Sequence, residues 1–239
     1  TSTDSDVAAQ AGAEAARDLL AEHLGRPGVP AAEDVDQALV EAAAVANAAV
    51  VANTAEGSAN AASATFAVAV VLDGRVHFAN LGDSRVYFLG EQGGRLLSVD
   101  DSLAQAFIEG GMPREEAEAM PRSHAITKWL GRDATDLVPR VGSFRLDQPG
   151  WLVVCSDGLW NYASAPEQLD AQIAAVGSDD PAMVADRLVA WANDQGGRDN
   201  ITVALARLRA VPADPEQSHS LDSAEAQAST TEQEHAEHG

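Results

Sequence analysis

The sequence predicts an α+β fold in which helices cover antiparallel sheets. Three observations predict it. Two long alanine-rich segments with helical spacing open the chain. A series of short β-rich segments separated by turn signals follows. Later helices and strands come in blocks, without the one-by-one βαβ alternation that a parallel sheet requires.

Each element follows from local pattern. Residues 6–24 place Val7, Ala11, Ala15 and Leu19, beside Ala16 and Leu20, near helical spacing. Residues 32–53 do the same with Val35, Leu39, Ala42, Ala46, Ala49 and Val50. Residues 25–30, rich in Gly and Pro, separate the two helices, and 56–63 form a Gly/Ser/Asn loop. The period then shortens. Residues 65–72 and 75–80 read as strands joined by Asp73-Gly74, a strong hairpin signal. On the second strand Val76 and Phe78 share one face, which leaves His77 exposed on the other. After an interruption at 81–84, residues 85–89 and 95–99 extend an antiparallel meander.

Short helices are predicted over 102–110 and from Pro113, whose first turns carry Glu115, Glu116 and Glu118. Residues 138–146 read as a strand. The unbroken apolar run Trp151-Leu-Val-Val-Cys155, bounded by Pro149-Gly150 and Asp157-Gly158, reads as a strand buried on both faces. Gly158 lets the chain turn sharply after it. Ser164-Ala-Pro-Glu167 has the form of a capping box for a helix to 176. Asp180-Pro181 caps another to 194, with Met183, Val184, Leu188 and Trp191 as its buried face. Residues 200–208 form the last strand. The chain thus divides into a domain at 1–210 and an acidic tail at 211–239, too polar to order itself. His219, His235 and His238 of that tail lack metal-ligand spacing.

The net charge of −22 argues against nucleic acid as a partner and suits divalent cations. No apolar run reads as long enough to span a bilayer, and no basic-then-apolar leader opens the chain, so no membrane association is expected. The single cysteine, Cys155, excludes an internal disulfide framework and suits a reducing, cytoplasmic compartment. Thr1 marks a processed chain or a piece of a longer one.

Three aspartates share one context. Asp83, Asp157 and Asp199 each stand at or just beyond the end of a hydrophobic strand. Taken singly, each is equally a turn or cap residue. Converging on one rim, they would form a cluster of repelling carboxylates that a hard divalent cation neutralises. An oxygen-only donor set selects Mg²⁺ or Mn²⁺ over zinc. Asn161 stands where a cysteine-based phosphatase would need an arginine, and no Gly-x-x-x-x-Gly-Lys loop exists, so both of those classes are disfavoured.

Three motifs, Asn80-Leu-Gly-Asp-Ser-Arg-Val-Tyr87, Ser156-Asp-Gly-Leu-Trp160 and Gly197-Arg-Asp-Asn-Ile-Thr-Val203, together resemble the metal-dependent Ser/Thr protein phosphatases of the type 2C (PPM) family. Ser63-Ala-Thr65, Val99-Asp-Asp-Ser102 and His124-Ala-Ile-Thr-Lys-Trp-Leu-Gly131 resemble weaker elements of the same family. The resemblance implies a sandwich of two antiparallel sheets flanked by helix pairs. It implies metal ligation by Asp157 and Asp199, with Asp83 helping Asp157 to hold a third, weaker ion beside two Mn²⁺ or Mg²⁺ ions. It further implies hydrolysis of phosphoserine and phosphothreonine in bacterial proteins phosphorylated by Ser/Thr kinases. A water activated by the metals, and no side chain, would be the nucleophile.

The departures are informative. The family's phosphate-binding Arg and its bridging Asp-Gly-x-Gly-Gly motif have no counterpart in this sequence. Alignment of the first helix places both upstream of Thr1. The 239-residue chain is therefore expected to hold metal weakly and to be nearly inactive by itself. Ser63, Asp101 and Met120-Pro121 also differ from common family residues, which leaves substrate choice open. Two alternatives stand beside the phosphatase: a non-catalytic binding module of the same fold, and a phosphatase of a stress-sigma regulatory cascade. Arg85 is expected to pair with an acidic neighbour, and Trp160 to pack in its turn.

Overall fold

The structure is a computed structural model, and it describes residues 5–25, 28, 30–54 and 61–209. The tail expected at 211–239, with its three histidines, lies outside the described residues.

Helices α1 (Ser5–Leu24) and α2 (Ala32–Ala52) pack side by side. A Cβ on Gly12 would lie 3.0 Å from Val50 Cγ2, so the absent side chain is what lets the helices close up. The buried face of α1 is Ala8, Gly12, Ala16 and Leu20, which includes the expected Ala16 and Leu20 but lies one residue away from Val7, Ala11, Ala15 and Leu19; Val7 is 52% exposed. Alanines on every side blur the periodicity, and close approach selects the smallest residues. Helix α2 meets the length and apolarity needed to cross a bilayer, with a mean hydropathy of 1.4, contrary to expectation. Its Val35, Leu39, Ala42, Ala46 and Val50 are buried in the core shared with α1 and the sheet, the place of a core helix.

Strands β2 (Phe66–Leu72) and β3 (Arg75–Leu81) form the predicted hairpin, with positive φ at Asp73 (46°) and Gly74 (69°). Strand β7 (Arg140–Arg145) pairs with β3 to complete a three-stranded sheet. Strands β4 (Arg85–Gly90), β5 (Gly93–Leu96), β8 (Gly150–Cys155) and β9 (Val203–Leu208) form a four-stranded sheet in the order β5-β4-β8-β9. Two-residue strands β1 (Ser63–Ala64) and β6 (Leu130–Gly131) pair with each other. The meander expectation fails between β3 and β4, which belong to different sheets. The chain crosses at Gly82 (φ 100°), where any Cβ would meet Thr65 Cγ2 at 2.6 Å.

The two sheets share a core of Val76, Val86 and Leu152 with Phe78, Phe144 and Val154 against it. Rings of Phe88 and Phe144 meet there at 5.1 Å. The outer face of the first sheet lies under α1 and α2. Tyr87, Leu89, Trp151, Val153 and Cys155 of the second lie under α6 (Pro166–Val176) and α7 (Pro181–Asp194). The result is the expected sandwich, helices outside and antiparallel sheets within. His77 is a correction: it is buried, not exposed, because its face of β3 meets α2, where Asp36 Oδ1 lies 3.2 Å from His77 Nδ1.

Shorter helices fill the connections: α3 (Leu103–Glu109), α4 (Arg114–Ala119) and the single turn α5 (Asp157–Trp160). Ser102 caps α3, accepting from Gln105 N–H at 3.2 Å. The expected box at α6 is only half present. Its N-cap is Ala165, which has no acceptor, and Gln168 Oε1 accepts from Ala165 N–H at 3.1 Å. Asp180 caps α7 as expected, but Met183 is 50% exposed and Val184, Leu188 and Ala192 form the buried face.

Candidate metal centre

Strand register brings the three aspartates together. Arg85 of β4 pairs with Cys155 of β8, which pairs in turn with Val203 of β9. Asp83 lies just before Arg85, Asp157 just after Cys155, and Asp199 in the loop before Val203. All three therefore stand at one end of the β4-β8-β9 array. Their electrostatics agree. Burial first, then the charges of Asp157 and Asp100, push the Asp83 carboxyl up to about 6. Burial first, then the charge of Asp199, raises Asp157. Asp157 thus feels Asp199 and is felt by Asp83, the position of a central member.

Local bonding holds each member. Ser156 is the N-cap of α5 and Asp157 its first helical residue, so the capping position falls to Ser156. The Ser156 hydroxyl donates to the Asn200 carbonyl at 2.9 Å and accepts from Thr202 N–H at 3.0 Å. Ser156 N–H also donates to the Thr202 carbonyl at 3.1 Å. These bonds fasten the loop of Asp199 to the strand end of Asp157. They also explain why β9 starts at Val203 and not at the expected residue 200.

The loop of Asp83 is held from both sides. On one side Gly82 N–H donates to Asp101 Oδ2 at 3.1 Å, and Asp101 N–H donates to the Gly82 carbonyl at 2.8 Å. Asp101 is buried and paired with Arg140, whose Nε lies 2.8 Å from its Oδ1. On the other side Trp160 Nε1–H donates to the Asp83 carbonyl at 2.9 Å. Arg85 grips Asp100 with a fork, Nε to Oδ1 at 3.0 Å and Nη2 to Oδ2 at 2.7 Å, as its sequence context suggests. Sequence reasoning missed Arg140 and the bond of Trp160; the acidic pair Asp100-Asp101 was the available signal. Cys155 is buried, and burial pushes its thiol up to about 12, so it is no nucleophile here.

The donors fit a hard divalent ion in kind: they are carboxylate oxygens of like charge, half-buried at Asp83 and Asp157 and exposed at Asp199. Among the described residues no group of three or more His, Cys, Asp or Glu converges closely enough to hold an ion unaided. Water would supply further oxygen donors to an ion held there.

The raised Asp83 gives a test without metal. A carboxyl raised from 3.8 to about 6 by folding contributes its favourable balance below pH 3.8 and loses it as pH rises through 6. Asp83→Asn is therefore expected to stabilise the metal-free protein above pH 6 by about 1–2 kcal/mol after allowance for solvent screening. At pH 4 the variant and wild type are expected to match. Urea unfolding at both pH values measures it.

Comparisons with known proteins agree with this architecture. The family model "Protein phosphatase 2C" matches residues 2–195. Protein phosphatase PhpP of Streptococcus pneumoniae is 35% identical over 152 residues, which are 63% of this chain and 60% of that protein. The chain thus spans about three fifths of the length of the curated relatives it matches. A solved serine/threonine phosphatase of S. agalactiae is 26% identical, with a TM-score of 0.63 over 81% of this chain and 79% of that one. The catalytic domain of the phosphatase PstP, solved with two manganese ions, shares the fold at 23% identity, with a TM-score of 0.61 over 84% of this chain and 80% of that one. A family model spanning most of the chain, a solved relative of the same fold and three strand-end motifs in register lead to one conclusion: the chain belongs to the protein phosphatase 2C family.

Proposed function

We propose that the protein is a Mn²⁺- or Mg²⁺-dependent phosphatase that hydrolyses phosphoserine and phosphothreonine in proteins. Asp157, Asp199 and Asp83 are its metal ligands within this chain, Asp83 and Asp157 serving a third, weaker ion beside two others. The observation that carries the reading is the gathering of three aspartates at one sheet end, where burial and then a neighbouring aspartate raise two of them, Asp83 beside Asp157 and Asp157 beside Asp199. Names of relatives support it, since PhpP is a protein phosphatase and the S. agalactiae structure a serine/threonine phosphatase. The substrates fit products of Ser/Thr kinases, and the compartment fits the cytoplasm of a bacterium.

A bound divalent ion supplies activation of water and neutralisation of phosphoryl charge. The chain's own residues do the rest. Asp157 holds the centre, Ser156 ties it to the loop of Asp199, and the Asp101–Gly82 bonds fix the loop of Asp83. Arg85 is committed to Asp100 and is not a phosphate clamp. The buried thiol of Cys155 leaves no cysteine nucleophile at the strand end.

A non-catalytic binding module is a second reading, favoured by the lack of a three-ligand group among the described residues. One assay separates the two. The full-length protein is expected to hydrolyse p-nitrophenyl phosphate only with added Mn²⁺ or Mg²⁺. Full activity in EDTA would overturn the metal mechanism, and inactivity with either metal would favour the binding module.

A further inference from the structure

We infer that Trp160 is a positioning residue of the proposed metal centre, whose indole N–H fixes the loop of Asp83 against the helical turn of Asp157. The inference rests on the phosphatase reading and deepens it. Beyond the pair Arg85↔Cys155, no strand pairing joins the β4 and β8 ends that carry the two carboxylates. Two half-buried carboxylates of like charge tend to separate, so something must set their spacing.

Trp160 is built to do so. It lies in the same single helical turn as Asp157, and its own N–H donates to the Ser156 carbonyl at 3.4 Å. Trp160 is 6% exposed, and its Nε1–H reaches across to the Asp83 carbonyl at 2.9 Å. The ring is itself held. The Arg85 guanidinium lies 3.7 Å from the ring centroid. Arg85 is in turn fixed by its fork to Asp100 and by Tyr87 Oη at 3.3 Å, and Tyr87 donates to the Ser164 carbonyl at 3.1 Å. A chain of directed contacts therefore runs from Asp100 through Arg85 and Trp160 to the backbone of Asp83. A residue that only filled space would need no donor aimed at that carbonyl.

Trp160→Phe removes the donor and keeps an aromatic ring under Arg85. Free Mn²⁺ followed by electron paramagnetic resonance during titration of the full-length protein reads the effect. Trp160→Phe is expected to bind Mn²⁺ about tenfold more weakly, the scale of lost outer-shell support. Circular dichroism is expected to match wild type. In an Asp83→Asn background the same substitution is expected to add little, because both act through one loop. Arg85→Lys, which loses the fork and the planar stack, is expected to weaken binding in the same direction and serves if Trp160→Phe does not fold. Wild-type Mn²⁺ affinity in folded Trp160→Phe, or full additivity with Asp83→Asn, would overturn the positioning role alone. Wild-type affinity in Arg85→Lys would overturn it too when Trp160→Phe does not fold. No Mn²⁺ binding by the wild-type protein would overturn the functional reading itself.

Discussion

Asp157→Asn is expected to abolish metal-dependent phosphatase activity, lowering kcat by about a hundredfold or more. Loss of an outer-shell partner already costs about 10–100-fold in metal affinity or activity, and a direct ligand exceeds that. Asn has the same shape and keeps the first turn of α5, where Asn161 Nδ2 lies 3.5 Å from Asp157 Oδ2. What is lost is charge at the centre of the group. The charge of Asp157 acts on Asp83 and that of Asp199 acts on Asp157, so neutralising Asp157 weakens the site for any ion shared with either neighbour. The same change relieves repulsion, and the metal-free variant is expected to unfold at no lower urea concentration than wild type. Initial rates with p-nitrophenyl phosphate over a Mn²⁺ series check the prediction; near-normal kcat at saturating Mn²⁺ would remove Asp157 from the site.

Gly158→Ala is expected to cost both stability and activity. A Cβ there would lie 2.4 Å from the Asn200 carbonyl oxygen and 2.9 Å from its carbon. Both are backbone atoms and cannot swing aside as a flexible side chain would. Space, and not conformation, makes this position glycine: its φ is not among the positive values of the chain. Relief requires the Asn200 loop to move, and that loop carries Asp199 and both bonds to the Ser156 hydroxyl. Overpacking of this kind costs about 1–3 kcal/mol. Urea unfolding measures the stability loss. The Mn²⁺ concentration for half-maximal activity is expected to rise in the fraction that stays folded. Unchanged stability would mean that the loop yields freely and that Gly158 does not set the site.

Much of this was legible in the sequence, for reasons that differ by element. The strand at Trp151–Cys155 announced itself because a central strand is covered on both faces, and its burial is nearly complete. Asp73-Gly74 was legible because few residues accept positive φ at two successive positions. The three aspartates were legible as strand-end residues, and register did the rest. What failed depended on the third dimension. Whether β4 follows β3 in one sheet or crosses to another is decided at Gly82, by room beside Thr65 that no local pattern encodes. His77 looked exposed because alternation says which residues share a face, not what covers it. The turn at Gly158 was assigned to backbone freedom, whereas the cause is a carbonyl from a loop more than forty residues away. The supports of the Asp83 loop, Asp101 with Arg140 and Trp160 with Arg85, are long-range pairs of the same kind.

The central claim is that Asp83, Asp157 and Asp199 hold a divalent cation at the end of the β4-β8-β9 array. Crystals of the full-length protein grown with Mn²⁺, measured at the manganese absorption edge, test it most directly. The account predicts anomalous peaks in direct contact with the carboxylates of Asp157 and Asp199. Mn²⁺-dependent activity in solution, with no anomalous peak at either carboxylate, would contradict it.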